Sequence, residues 1–117
     1  MPMRERVFVY GTLRRGGTNH ALLEGARFLG TYVTEPQFTM IHLGPYPGVV
    51  DGGETPIVGE VYGVTPAEFG ALDRLEDYPR TYTRCRIETP WGGAWIYLLR
   101  KRATRVVPIA SGDWFRG

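Results

Sequence analysis

Apolar and polar residues alternate in short runs along most of this chain, a pattern typical of strands that bury one face. The runs are rich in β-branched and aromatic residues, which fit a pleated, half-buried surface. They predict strands over residues 7–10, 28–33, 38–43, 57–64, 82–89 and 94–100, with a short edge strand over residues 106–109. Turns at residues 44–48 and 90–93 contain the proline and glycine that end such strands, and the second turn predicts a hairpin.

Two segments depart from this alternation and predict helices. The clearer helix covers residue 66 to about residue 77, because Thr65 opens a capping box with proline at the first helical position. A shorter helix over residues 20–23 is predicted to be capped by Thr18 or Asn19. Together these elements predict an α+β fold, a closed or nearly closed small mixed β-barrel with one or two flanking helices.

Length and composition narrow the class of protein. The 117 residues, 43% of them hydrophobic, suffice for one domain, residues 1–117, with a substantial core. A net charge of +2 is too small to indicate a nucleic-acid partner. We interpret the basic cluster at residues 100–105 as a solvated strand end. A lone cysteine excludes an internal disulfide, and no apolar run has the length of a membrane span or the layout of a signal peptide. We therefore expect no membrane partner and a cytoplasmic location.

The first strand is followed by a segment suited to binding an anion. Gly11, Thr12 and Leu13 present consecutive backbone N–H groups beside a residue without a Cβ, which allows a carboxylate or carbonyl oxygen to approach closely. The alternative is that this segment only connects a strand to a helix. A phosphate-binding loop is excluded, because the chain has no lysine at the position where that motif requires one.

One carboxylate of the predicted helix is turned toward the interior. On a helical wheel Glu76 lies about 40° from the centre of the apolar stripe, whereas Asp73 and Asp77 point toward water. The stripe consists of Phe69, Leu72 and Leu75. A buried carboxylate is costly unless it is paired, and burial raises its pKa toward the range suited to general acid–base catalysis. The alternative is that Glu76 frays outward or pairs with an arginine: Arg80, Arg84 or Arg86.

Few other side chains support chemistry. His20 and His42 lack the spacing of metal ligands, Cys85 lies within a strand with no neighbouring histidine, and Ser111 lacks a nucleophile motif. If the protein is an enzyme, one carboxylate and one anion site must suffice. The substrate would then carry its own nucleophile and react by intramolecular attack.

Four motifs in order identify a resemblance to a known family. They are Tyr10-Gly11-Thr12-Leu13-Arg14-Arg15-Gly16 with Asn19-His20, Gly59-Glu60-Val61-Tyr62, Leu72-Asp73-x-x-Glu76, and Tyr82-x-Arg84. This pattern resembles the γ-glutamylcyclotransferase-like superfamily, and its opening stretch is most similar to the AIG2-like, γ-glutamylamine cyclotransferase branch. The resemblance implies a small mixed β-barrel and a cofactor-free, metal-free reaction. That reaction releases 5-oxoproline from a small-molecule γ-glutamyl substrate.

The same resemblance implies roles for individual residues. Glu76 is the general acid–base, with Tyr82 beside it, although strand packing explains Tyr82 equally well. The substrate's carboxylate or developing oxyanion is held by the backbone of Gly11, Thr12 and Leu13, and the remaining predicted substrate-binding residues are Tyr10, Asn19 and Tyr46. Arg84 is expected to have a structural role. The alternatives are a non-catalytic module that binds a small carboxylate or amide metabolite, and a protein-interaction domain that uses the basic segment or exposed tryptophans.

Overall fold

The computed structural model describes residues 4–100 and 107–117, so most of the basic cluster and Val106 lie outside the described residues. The strands, in chain order, are β1 Glu5–Val9, β2 Arg27–Val33, β3 Phe38–His42, β4 Pro47–Asp51, β5 Val58–Val64, β6 Tyr82–Thr89, β7 Gly92–Leu99 and β8 Val107–Pro108. A 3₁₀ helix covers His20–Leu23, and the α-helix α1 covers Pro66–Leu75. In the described part of the chain, neither helix is long and apolar enough to cross a membrane.

The strands form two sheets. The larger sheet has the order β2-β5-β1-β7-β6, and the smaller one has the order β4-β3-β8. Strand β1 lies in the middle of the larger sheet, antiparallel to β5 and parallel to β7. The α+β class is confirmed. Of the predicted closed or nearly closed barrel, the closed form is not found: the larger sheet is curled, and β2 and β6 remain its two edges within the described residues.

Strand β1 separates two hydrophobic cores. Alternation along the strand turns Val7 toward a core that contains Leu72 of α1, and turns Phe8 toward a core that contains residues of the smaller sheet such as Met40. Both Val7 and Phe8 are fully buried. The larger sheet is therefore a central layer with α1 on one face and the smaller sheet on the other.

Several predicted boundaries are corrected. The β6–β7 hairpin turns through two residues, 90 and 91, rather than four, because Thr89 already pairs with Gly92. Strand β4 begins at Pro47, within the predicted turn, and pairs there with His42 of β3. Strand β1 ends at Val9, so Tyr10 already belongs to the following segment.

Helix α1 begins as predicted and ends early. The Oγ1 atom of Thr65 accepts a hydrogen bond from the Glu68 N–H at 3.2 Å, and the Glu68 carboxylate accepts one from the Thr65 N–H at 2.7 Å. The helix ends at Leu75 because Asp77 adopts a left-handed conformation, with φ 51°. The N–H groups of Asp77 and Tyr78 donate to the carbonyls of Arg74 and Asp73, which is the hydrogen-bond pattern of a Schellman motif. Glu76 is therefore the C-cap rather than an interior residue.

Two glycines, one in β5 and one in α1, give a matched test of this packing. A Cβ on Gly59 would lie 2.6 Å from the Phe8 ring and would also clash with the Val9 carbonyl oxygen. On Gly70 its nearest neighbour would be Arg74, at an ordinary 3.6 Å. We expect Gly59→Ala to lower the free energy of unfolding by about 1–3 kcal/mol and Gly70→Ala to raise it by up to about 1 kcal/mol.

Urea denaturation of both variants and the parent protein measures these changes. Equal effects of the two substitutions would contradict the close packing of β5 against β1.

Candidate functional site

A cavity of about 320 Å³ opens where β1 ends and α1 ends. Its walls come from the segment after β1, the end of α1, strands β6 and β7, and the turn before β4. The lining residues are Phe8, Val9, Tyr10, Gly11, Thr12, Leu13, Asn19, Tyr46, Pro47, Leu75, Glu76, Asp77, Thr81, Tyr82 and Tyr97. Its size and largely apolar lining suit a small organic ligand.

The segment after β1 lines this cavity and carries backbone N–H groups that have no partner among the described residues. No hydrogen bond within the described residues uses the N–H groups of Gly11, Thr12 or Leu13. Gly11 is buried, and a Cβ at this position would lie 2.8 Å from the ring of Pro47. Glycine is therefore needed at Gly11 for the chain to pass this close to Pro47.

Residues of the 3₁₀ helix and the turn before it hold this segment in place. The Asn19 N–H donates to the Thr12 carbonyl at 2.9 Å, and the Asn19 side-chain amide donates to the Thr12 hydroxyl at 2.8 Å. The His20 Nδ1 atom donates to the Leu13 carbonyl at 2.9 Å. The predicted side-chain cap is wrong: Asn19 occupies the N-cap position but its side chain makes no capping hydrogen bond, because it binds Thr12 instead.

The buried carboxylate of Glu60 holds the same segment in place. Glu60 of β5 accepts hydrogen bonds from the Arg15 N–H at 2.9 Å and from the Tyr62 hydroxyl at 3.0 Å, and it lies 3.5 Å from the Arg14 guanidinium. Arg14 also binds Asp113 near the C-terminus at 2.8 Å. The sequence analysis assigned Glu60 no role of its own. The sequence contains one indication of this role, an acidic residue in an otherwise apolar strand. Its partner Arg14 could not be identified from the sequence, because it lies 46 residues away.

The carboxylate of Glu76 reaches the cavity without a partner. The side chain is half-buried, and the carboxylate makes no hydrogen bond or ion pair with any described residue. Burial raises the pKa of Glu76 to about 7. The geometry therefore supplies an acid that is partly protonated near neutral pH and free to interact with a ligand.

The predicted alternative, an ion pair between Glu76 and an arginine, is wrong for the residues described. Arg84 instead forms two contacts of 3.2 Å with the Asp73 carboxylate. Its guanidinium also lies over three aromatic rings, those of Phe69, Tyr78 and Trp95. The structural role predicted for Arg84 agrees with these contacts.

The helical wheel misplaced two side chains of α1. Asp73 was expected to face water, but its carboxylate also accepts a hydrogen bond from the Tyr97 hydroxyl at 2.6 Å. Leu75 was assigned to the buried stripe, but 41% of it is exposed, and it lies at the cavity wall. For Asp73 the error arises because a helical wheel contains no information about side chains that reach the helix from other elements, here Arg84 and Tyr97.

Three tyrosines surround Glu76. The Tyr10 hydroxyl donates to the Tyr97 carbonyl at 2.8 Å, and the Tyr82 hydroxyl donates to the Pro47 carbonyl at 3.2 Å. Burial raises the pKa of all three hydroxyls, and the negative charge of Glu76 raises each of them further. These phenols therefore stay protonated and can donate hydrogen bonds. The sequence analysis missed Tyr97, although alternation along β7 places it on the face toward α1.

All eight predicted site residues line this single cavity. Tyr46 is 47% exposed and lies at the mouth, whereas Tyr10 and Tyr82 are buried in the wall. Glu76 and Gly11 share the cavity, so the arrangement that would favour a protein-interaction domain, an exposed Glu76 far from Gly11, is not found. Their roles in binding and chemistry remain predictions.

Comparisons with known proteins identify the family. A Vibrio cholerae protein named provisionally as a gamma-glutamylcyclotransferase is 46% identical over 112 residues, which cover 96% of each chain. The gamma-glutamylcyclotransferase family protein YtfP of Escherichia coli is 38% identical over 109 residues, covering 93% of this chain and 95% of YtfP. The crystal structure of an AIG2-like protein from Mus musculus matches with a TM-score of 0.77 and 28% identity over 87% of this chain and 81% of the mouse chain.

The family model described as "Gamma-glutamyl cyclotransferase, AIG2-like" matches residues 7–116. This match covers strands β2 to β8, all of β1 except its first two residues, both helices and the whole cavity lining. The chain therefore belongs to the AIG2-like γ-glutamylcyclotransferase family.

Proposed function

We propose that this protein is a cofactor-free cyclotransferase that converts a γ-glutamyl amine or γ-glutamyl amino-acid amide into 5-oxoproline and a free amine. The observation that carries the proposal concerns one cavity: it holds the Glu76 carboxylate and three backbone N–H donors, none of which has a partner among residues 4–100 and 107–117. Family membership supports the reaction class. The substrate supplies both the nucleophile and the electrophile, so the protein needs only to position them and move protons.

Glu76 acts in this mechanism as general base and then as general acid. Its carboxylate takes a proton from the substrate's α-ammonium group, and the freed amine attacks the γ-carbonyl carbon. A carbon–nitrogen bond forms and closes the five-membered ring. Glu76 then delivers its proton to the leaving nitrogen as the original amide bond breaks, which regenerates the carboxylate. The second proton on the ring nitrogen passes through this carboxylate to the free amine, which leaves as an ammonium ion. A pKa of about 7 suits both steps near neutral pH.

The backbone donors of Gly11, Thr12 and Leu13 stabilise negative charge on the substrate, either its carboxylate or the oxyanion that develops on the γ-carbonyl. Fixed donors aimed at a developing oxyanion contribute about 3–4 kcal/mol each in comparable enzymes. The segment does not have to reorganise during the reaction, because Asn19, His20 and Glu60 hold it in place.

The tyrosines complete the pocket. Tyr82 and Tyr10 flank Glu76, so their rings shield the carboxylate from bulk water. Both hydroxyls remain protonated. Tyr46 lies exposed at the mouth, where it can cover the leaving-amine portion of the substrate. In this arrangement the glutamyl portion lies deep in the cavity and the amine portion faces the opening.

The first prediction concerns turnover. Incubation with a panel of γ-glutamyl amines and amino-acid amides should release 5-oxoproline, and Glu76→Gln should lower kcat at least about 100-fold, because the neutral amide cannot accept the proton. Glu88→Gln is the matched control, since Glu88 is exposed on β6 and lies outside the cavity lining.

Equal activity of the Glu76→Gln variant would remove Glu76 from the mechanism. Saturable binding of panel compounds by the parent protein without any turnover would instead favour a non-catalytic binding module.

The second prediction concerns stability and pH. The Glu76 pKa is about 7 in the folded protein and about 4.5 unfolded, so this group does not destabilise the fold below pH 4.5, and its contribution to stability is lost as the pH rises through 7. Glu76→Gln abolishes this dependence. We expect the variant to exceed the parent in free energy of unfolding by about 1–3 kcal/mol at pH 8, allowing for partial exposure, and by much less at pH 4.

Chemical denaturation of both proteins at the two pH values measures this difference. A gain of the same size at pH 4 and pH 8 would show that Glu76 has an ordinary pKa.

The third prediction concerns the backbone donors. Gly11→Ala places a methyl group against the Pro47 ring, so the segment must shift. We expect the Kd for 5-oxoproline, measured by ligand-dependent thermal stabilisation, to rise about tenfold. Gly70→Ala is the control, because the same added methyl group makes only an ordinary contact there. Unchanged 5-oxoproline affinity in Gly11→Ala would show that these donors do not hold the ligand.

A further inference from the structure

We infer that Asp73 is a positioning residue, which fixes the last turn of α1 against β6 and β7 and thereby holds Glu76 at the cavity. The inference rests on the proposed function only for its kinetic readout. Asp73 itself is absent from the cavity lining, so it would act through Glu76 rather than on the substrate.

The contacts of Asp73 connect three elements. One carboxylate oxygen accepts from the Tyr97 hydroxyl of β7 at 2.6 Å, and the two oxygens lie 3.2 Å from the Arg84 nitrogens of β6. Its backbone carbonyl accepts from the Tyr78 N–H at 2.9 Å, which closes the helix end around Glu76. Asp73 therefore links the cap that sets the Glu76 backbone to β6 and β7, two strands that contribute Tyr82 and Tyr97 to the cavity lining.

Arg84 is itself held firmly. Its guanidinium carbon lies 4.4 Å from the centre of the Phe69 ring, 4.3 Å from that of Tyr78 and 4.8 Å from that of Trp95. Stacking on aromatic faces and a two-point contact with a carboxylate restrict a guanidinium in both position and rotation. Arg84 thus gives Asp73 a rigid partner rather than a flexible surface charge.

The backbone of α1 does not by itself make this link. The helix backbone lies close to the 3₁₀ helix and to β5, whereas its connection to β6 and β7 is made through side chains. If the Asp73 connection is removed, the helix end can move away from those strands, and water can reach the Glu76 carboxylate. Among the described residues the neighbouring acid Asp77 makes no comparable connection, because its carboxylate binds there only Thr81, four residues later.

The groups that face Glu76 allow a clean measurement of its position. Besides the adjacent Asp77 they are the tyrosines Tyr10, Tyr82 and Tyr97, whose raised pKa values keep them neutral in the relevant pH range. Its pKa, followed by NMR of the labelled side-chain carboxyl carbon, therefore reports on its own burial. This readout does not require turnover of any substrate.

The decisive experiment compares Asp73→Asn, Arg84→Gln and Tyr97→Phe with the parent protein. If Asp73 positions Glu76, all three variants release the helix end, and the Glu76 pKa falls from about 7 toward 4.5 in each. A purely through-space effect of charge gives opposite shifts, because Asp73→Asn removes a negative charge and Arg84→Gln removes a positive one. Opposite shifts, or a pKa that stays near 7 in all three, would overturn the inference.

Kinetics supply the second readout. We expect Asp73→Asn and Tyr97→Phe to lower kcat about 10- to 100-fold at 25 °C, and Asp73→Asn to leave KM within about twofold. Ile41→Val and Ile41→Ala, buried in β3 away from the cavity, give control proteins of graded stability.

If the control proteins lose as much kcat as Asp73→Asn at matched thermal midpoints, Asp73 only stabilises the fold and the inference is wrong. If the parent turns over no substrate, the proposed function fails, and the carboxyl NMR measurement alone decides the role of Asp73.

Discussion

The arrangement of this site depends on one electrostatic constraint, a half-buried carboxylate that has no partner among the described residues. Glu76 lies where burial raises the cost of its charge, and Arg84, one of the arginines considered as its partner, is held by Asp73 instead. The charge of Glu76 therefore lowers the stability of the folded state at neutral pH, but the side chain can take up and release a proton there. Such an arrangement is typical of a site that acts on a ligand.

The layered fold explains how this carboxylate meets the backbone donors of Gly11 to Leu13. Strand β1 is central and buried on both faces, so the chain emerges from it at a fixed point. Helix α1 packs on one face of the same sheet and ends at Leu75, so that its C-cap Glu76 lines the same cavity. Glu60 and the Asp73–Arg84 pair then secure the two sides of the cavity independently.

Much of this could be predicted from the sequence, because it depends on local rules. The capping box fixed the start of α1, the composition of residues 7–10 identified the first buried strand approximately, and the motifs identified the family. The eight candidate residues that line one cavity were also found in this way. Alternation in β6 predicted its bounds as they are observed.

The sequence could not predict contacts that depend on long-range pairing. Asp73 was assigned to water because a helical wheel contains no information about Arg84 or Tyr97, which reach it from other elements. The role of Glu60 depends in the same way on Arg14 and on Asp113 near the C-terminus. The sequence left open whether the barrel closes, because strand count alone does not determine whether the two edge strands meet.

The most direct test of the central claim is a crystal structure of Glu76→Gln, which should not turn over, with a γ-glutamyl amide bound. The account predicts the α-amine within hydrogen-bond distance of residue 76 and a carboxylate or γ-carbonyl oxygen on the N–H groups of Gly11 to Leu13. A ligand bound outside the cavity, or bound inside it with its α-amine remote from residue 76, would contradict the account.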